Sequence, residues 1–330
     1  PSPRGSSSQR VRGWRIEAGV QRYALLIALI VLGGIFSIAR PGTFLALGNF
    51  TTMLSVQATA AMLAIAVTVV LLVGEFDLSI AATMGLSASV LAYMTAVHHV
   101  PILLAFLVVL ALSILIGLVN AFFVVRVGVH SFIVTLGMGT LVGGVAVGLA
   151  GSSAIGGLPR TFTMIFQTDL GGIQLAFFYT LVVAVIAYVA IARMPLGRKM
   201  FFTGNARSAA ALSGIRTTRL VGGSFVVASV VACFSGILLA GQTGAVSPTA
   251  AGPYLLPAYA AGFLGATAFS PGRFNIWGSV WAVLFLAVGT TGFQLVGFDN
   301  WVIDVFNGAV LVLAVAMARV FSRGKHRPRT

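Results

Sequence analysis

Residues 101–125 read PILLAFLVVLALSILIGLVNAFFVV, without one Asp, Glu, Lys or Arg. A helix rises about 1.5 Å per residue, so this run exceeds the roughly 30 Å hydrocarbon core of a bilayer. It is continuous rather than alternating, which argues for a spanning helix and against a strand of a transmembrane barrel. Working outward, similar runs lie at roughly 23–39, 53–73, 78–97, 131–151, 173–192, 220–241, 254–269, 275–297 and 300–320. Together they predict an all-α polytopic membrane protein with about ten transmembrane helices. The run at 254–269 is short. It follows Gly252-Pro253, contains Pro257 and stops before Ser270-Pro271-Gly272. It is expected to be tilted, broken, re-entrant or simply short.

Composition agrees. Of 330 residues, 58% are hydrophobic and 8% charged, with a mean hydropathy of +1.04. A soluble domain is about 25% charged, so a water-covered globule, a disordered chain and a disulfide scaffold are excluded. The net charge of +14 does not indicate nucleic acid, because the basic residues sit in short clusters between apolar runs. Their distribution fixes the expected topology. With the N-terminus in the cytoplasm, the inner side holds Arg4, Arg10, Arg12, Arg15 and Arg22; Arg126; Arg193, Arg198, Lys199, Arg207, Arg216 and Arg219; Arg273; and Arg319, Arg323, Lys325, Arg327 and Arg329. Only Arg40 and Arg160 fall outside. A miscount by one span would destroy this asymmetry. The chain thus reads as a disordered basic cytoplasmic tail (1–22), one transmembrane domain (23–320) and a second basic tail (321–330). The first run is read as an uncleaved helix, since its lead is longer than that of a secretory leader.

Polar residues inside such a chain are few, and ionisable ones are costly in lipid. Glu75 and Asp77 lie at a break between runs, where Asp77 can cap the following helix or serve a solute path. The fifth run carries Gly139 and Gly143, and Gly144 and Gly148, at the spacing that lets helices approach closely; packing within the chain is expected there. Cys233 is alone, and no Cys/His metal spacing occurs. No Walker loop, HExxH or GxSxG motif appears, and no relay of paired ionisable groups crosses the spans. No catalytic centre is therefore expected, and energy for uphill transport would come from a partner.

The longest inner loop between runs spans 193–219. Gly204-Asn205 can turn the chain, 206–213 is Ala-rich with good helix propensity, and Gly214 can end the helix. A short helix made mostly of Ala suits a cleft on another protein better than open water.

Several stretches, in order, resemble one family. Gly74-Glu-Phe-Asp77-Leu-Ser79 is similar to a Gly-Gly-Ile-Asp-Leu-Ser signature. Asn120-Ala-Phe with Phe132-Ile-Val-Thr135-Leu-Gly137, then Leu196-Gly-Arg198 through Ala209-Ala-Ala-Leu-Ser-Gly-Ile215, then Gly265-Ala-Thr267 with Gly272-Arg273 and Trp277-Gly278, continue it. Over about residues 40–320 the chain resembles permease subunits of bacterial ABC sugar importers of the ribose/xylose/galactose type. It departs from that pattern at Glu75, where a small or apolar residue is usual, at Arg207-Ser208, where acidic residues are, and at Ala266 and Pro271, which replace common glycines.

The resemblance implies a type II ABC importer (vitamin B12 permease-like) fold in the bacterial inner membrane, with both termini cytoplasmic. It implies a second permease subunit, taken as a homodimer partner, a cytoplasmic ABC ATPase carrying ATP and Mg, and an extracytoplasmic solute-binding protein. Membrane lipid is the surroundings, and no cofactor binds this chain. The solute is expected to be a neutral monosaccharide. A same-superfamily permease for an amino acid, a nucleoside or a furanone signal, and a stand-alone facilitator, are the alternatives. Polarity and motif position make Gln57, Glu75, Asp77, Asn120, Thr135 and Gln294 candidates for the path. Coupling to the ATPase is expected at Asn205, Arg207, Ala209, Ala210, Leu212, Ser213 and Gly214.

Overall fold

The computed structural model describes the backbone of residues 7–151, 153–269 and 272–324, and side chains between 23 and 318. Thirteen helices are described: α1 Ser7–Ala39, α2 Leu47–Leu72, α3 Ile80–Ala92, α4 Ile102–Ala121, α5 Ser131–Ala150, α6 Arg160–Gln167, α7 Leu175–Tyr188, α8 Pro195–Asn205, α9 Arg207–Leu212, α10 Thr217–Thr243, α11 Leu255–Gly265, α12 Ile276–Val296 and α13 Asn300–Gly324. α3, α4 and α7 each end in a wider π-helical turn. Two minimal antiparallel pairs, β1 (Ile155–Gly156) with β4 (Ala245–Val246) and β2 (Asp169–Leu170) with β3 (Ile173–Gln174), tie down loops.

Eight of the described helices, those from α2 to α5 with α7, α10, α12 and α13, are long and apolar enough to cross a membrane. Tyr23–Ala39 of α1 is a shorter apolar stretch, and α11 has 11 residues, about 16 Å of helix. The run at 254–269 is thus half a span, closed by loops at both ends. The basic lead departs from expectation: its backbone is helical from Ser7, where a disordered tail over 1–22 is predicted from composition. Extending an existing helix avoids the nucleation cost that makes isolated short helices marginal, and this segment holds no proline. Residues 325–330 of the second tail lie outside the described residues.

α2, α3 and α10 form the centre, where residues 58–73 are almost all buried. In lipid no hydrophobic drive pulls helices together, so close approach by small residues matters most. A methyl group on Gly236 of α10 would collide with the Met84 carbonyl of α3. One on Gly117 of α4 would lie 2.6 Å from Val226 Cα of α10. On α12, Gly292 receives the Phe36 ring of α1 and Gly289 the Phe306 ring of α13. Ser235 Oγ donates to Thr59 O at 2.9 Å, and Thr68 Oγ1 shares a hydrogen bond with Ser279 Oγ at 2.8 Å. The glycine face of α5 is different. Gly139 meets the Leu78 carbonyl, but Gly143, Gly144 and Gly148 have open space beside them. Packing within the chain, expected for both GxxxG spacings, therefore holds for Gly139 alone.

The bundle has two distinct ends. One gathers the break between α2 and α3, the α4–α5 turn with Arg126, all of α8 and α9, and the start of α12, where Arg273 lies 4.3 Å over the Phe201 ring. This is the basic end. The opposite end carries Arg40, bonded to Val296 O, and the loops around α6.

Gly236→Ala should lower the thermal stability of the purified protein by about 1–3 kcal/mol. Gly223→Ala, on the same helix with nothing within 4 Å, should not. Equal melting of both variants would contradict the close α3–α10 contact.

Candidate functional site

Residues 73–79 interrupt two buried helices. Gly74 takes φ +80, a conformation that glycine alone adopts without strain. Beyond it, four successive backbone donors find side-chain acceptors. Phe76 N donates to Ser131 Oγ at 3.3 Å, Asp77 N to Tyr259 Oη at 2.9 Å, Leu78 N to Thr135 Oγ1 at 3.0 Å and Ser79 N to Asp77 Oδ1 at 2.9 Å. Unmet backbone groups at membrane depth cost several kcal/mol each, so these four bonds let the break exist.

Asp77 is fully buried. Its Oδ1 also accepts from Ser79 Oγ at 2.5 Å, and Ser79 Oγ accepts from Asn120 Nδ2 at 2.9 Å. Asp77 Oδ2 and Asn120 Oδ1 have no hydrogen-bond partner among the described residues. The structure therefore brings Asp77, Asn120 and Thr135 together in one knot at the basic end. Tyr259 and Ser131 complete it and were not singled out in the sequence. The signal for Tyr259 was a hydroxyl inside a short apolar run; for Ser131 it was a hydroxyl at a helix start.

The knot touches the loop that carries α9. A methyl group on Gly204 would stand 2.5 Å from Leu72 O, so the α8 C-terminus lies backbone to backbone against the end of α2. Arg207 Nη1 pairs with Glu75 Oε1 at 2.9 Å. Two of the residues that depart from the resembled family are thus partners in space. Asn205 Nδ2 bonds Phe201 O, Ser213 Oγ bonds Ala209 O, and Gly214 turns the chain at φ +78. α9 itself has two faces. Ala210 is fully buried against the chain, whereas Leu212 is 91% exposed, with Ala209 and Ser213 also exposed. Ala210 is therefore an internal contact and not part of an outward surface.

The remaining path candidates lie apart. Gln294 is exposed near the opposite end of α12. Gln57 lines a cavity of about 340 Å³ between α2, the start of α11, α12 and α13, with Tyr254, Thr290 and Asn307. Those three were not singled out in the sequence, since single Tyr, Thr and Asn residues in apolar runs carry no spacing signal.

The comparisons agree with this architecture. Similar curated proteins include the D-allose transport system permease protein AlsC of Escherichia coli, 26% identical over 302 residues, covering 92% of this chain and 93% of that one. The autoinducer 2 import system permease protein LsrD of Salmonella typhimurium is 28% identical over 272 residues, 81% of each chain. The galactose/methyl galactoside import permease protein MglC of Haemophilus influenzae is 27% identical over 316 residues, 90% of this chain and 94% of that one. No solved structure gives a significant match. The family model described as "Branched-chain amino acid transport system / permease component" matches residues 49–315, and the chain belongs to that family of transport permeases.

Proposed function

We propose that this chain is the membrane-spanning subunit of an ATP-driven importer that carries a neutral monosaccharide into the bacterial cytoplasm. The observation that carries the reading is the joint between α9 and the 73–79 break. A helix with an exposed Leu212 on one face and a buried Ala210 on the other is suited to a cleft on a separate ATPase. Movement of α9 reaches the spans through Gly204 under the end of α2 and through the Arg207–Glu75 pair. The knot around Asp77 then links that break to α4, α5 and α11. The basic end is the cytoplasmic one, on the distribution of Arg and Lys. Both termini lie there, and a solute-binding protein delivers from the opposite side.

The open glycine face of α5 favours a second permease subunit, here a second copy of this chain, in a type II arrangement. ATP and Mg belong to the ATPase. The sugar assignment leans on the names of the allose and galactoside relatives. The autoinducer 2 relative leaves a small polyhydroxylated signal as the neighbouring choice.

Cells lacking this chain should lose ATP-dependent uptake of at least one of labelled D-ribose, D-allose and D-galactose, with uptake restored by the intact gene. Uptake unchanged for all three would sink the sugar reading. For the joint, Arg207→Glu should lower solute-stimulated ATP hydrolysis severalfold, since it places two carboxylates together where an ion pair worth at most about 1 kcal/mol stood. Adding Glu75→Arg should recover it. Failure of the double variant to recover would mean that the two residues act separately.

A further inference from the structure

We propose that the cavity between α2, α11, α12 and α13 is a solute subsite, in which Gln57, Tyr254, Thr290 and Asn307 hold a neutral polyhydroxylated molecule on its way across. This rests on the import reading above and adds to it where the solute pauses and what chemistry holds it.

The first observation is a set of polar groups without partners. Gln167, Gln174 and Gln242 are bonded to one another or to backbone carbonyls, and Asn275 is fully engaged. Gln57 and the Tyr254 hydroxyl make no hydrogen bond to any described residue. Asn307 Oδ1 is buried and without a partner among the described residues. Buried polar atoms in native proteins are satisfied in the great majority of cases, so the idle Asn307 Oδ1 indicates a missing partner, and the half-buried Gln57 and Tyr254 side chains leave their polar ends open to the same cavity. Thr290 donates only to Ala287 O, one turn back, which leaves its oxygen free to accept.

The second observation is shape and charge. A cavity of about 340 Å³ lies in the range of small-molecule sites. Its lining holds two amides, a phenol and a hydroxyl, with Pro253, Pro257 and Leu286, and no charged residue. Amides and hydroxyls both donate and accept, which matches the paired hydroxyls of a sugar. An amino acid zwitterion would bring two charges into a site with none to meet them, at a high desolvation cost. Pro257 has no N–H for the carbonyl four residues back, and that residue, Pro253, also lines the cavity. Gln57 also borders an apolar groove facing α7, whose lining includes Thr180, already bonded to Ala58 O, with Trp277 and Trp281.

The third observation is position. Gln57 is ten residues into α2 and Asn307 seven into α13, so both lie about 10–15 Å from the end opposite α9. The same helix, α2, that lines the subsite ends at the break joined to α9. Occupancy and docking thus act on the two ends of one rigid element.

The test uses the complete importer in membrane vesicles, with Cys233→Ser and the lining residue Ala250→Cys. A membrane-impermeant methanethiosulfonate should modify the new thiol. Whichever of D-ribose, D-allose and D-galactose supports uptake should slow that modification about threefold at twice its dissociation constant. Gln57→Leu and Asn307→Leu should abolish the protection and raise the half-saturating concentration for uptake roughly threefold to tenfold. Should either variant fail to assemble, Tyr254→Phe provides the same measurement with a smaller change. A thiol that does not react, or that reacts at one rate with and without every sugar while wild-type uptake persists, overturns the subsite and leaves the import reading standing. Loss of chain-dependent uptake for all three sugars overturns the import reading, and this inference with it.

Discussion

Four backbone N–H groups at residues 76–79, held by Ser131, Tyr259, Thr135 and Asp77, permit the rest of the structure. A chain this poor in charge can break a buried helix only where other side chains replace water. Each acceptor comes from a specific place: α5 twice, α11 once and the break itself once. The break's backbone donors are therefore satisfied only with α5 and α11 in position. This makes it a junction rather than a loop. Its side-chain shell, three hydroxyls and one carboxyl, accepts from all four donors and fixes one geometry.

Around that junction the helices share a buried apolar core, and glycine and small hydroxyl residues set how closely they approach. Gly236 against Met84 O and Gly117 against Val226 set the spacing of α3, α10 and α4. Such backbone contacts have almost no slack. Gly204 sits against Leu72 O in the same way, the contact through which the proposed coupling would reach α2. The Arg207–Glu75 pair adds direction to that contact. By itself a half-exposed pair contributes little stability, so its value lies in registering α9 over the break.

Much of this was legible in the chain. Continuous apolar runs longer than 18 residues admit no structure but a spanning or buried helix, and α2 to α5, α7, α10, α12 and α13 fall where the runs predict. The short run at 254–269 was visible through its prolines and glycines, though its reduction to 11 helical residues depends on where the loops close. α8 was unread because Gly197 and Gly204 resemble loop residues; both sit under backbone, Gly197 at Ile191 and Gly204 at Leu72. Asp77, Asn120 and Thr135 stood out as polar residues in apolar sequence. Their meeting in one knot is a tertiary fact with no local period, as is the pairing of Glu75 with Arg207 across more than a hundred residues. Asn307 and Tyr254 are the same case: single polar residues mean nothing until the fold shows them facing one space.

The central claim is that α9 carries the contact with a separate motor. A chain with Cys233→Ser and Leu212→Cys, expressed in its native membrane, can be treated with a short bifunctional thiol- and amine-reactive reagent and its adducts identified. The account predicts a single major adduct with a protein that carries a Walker-type nucleotide site. An ATPase that co-purifies but links only to a cysteine placed elsewhere on the basic end, such as Gly128→Cys in the α4–α5 turn, would contradict it.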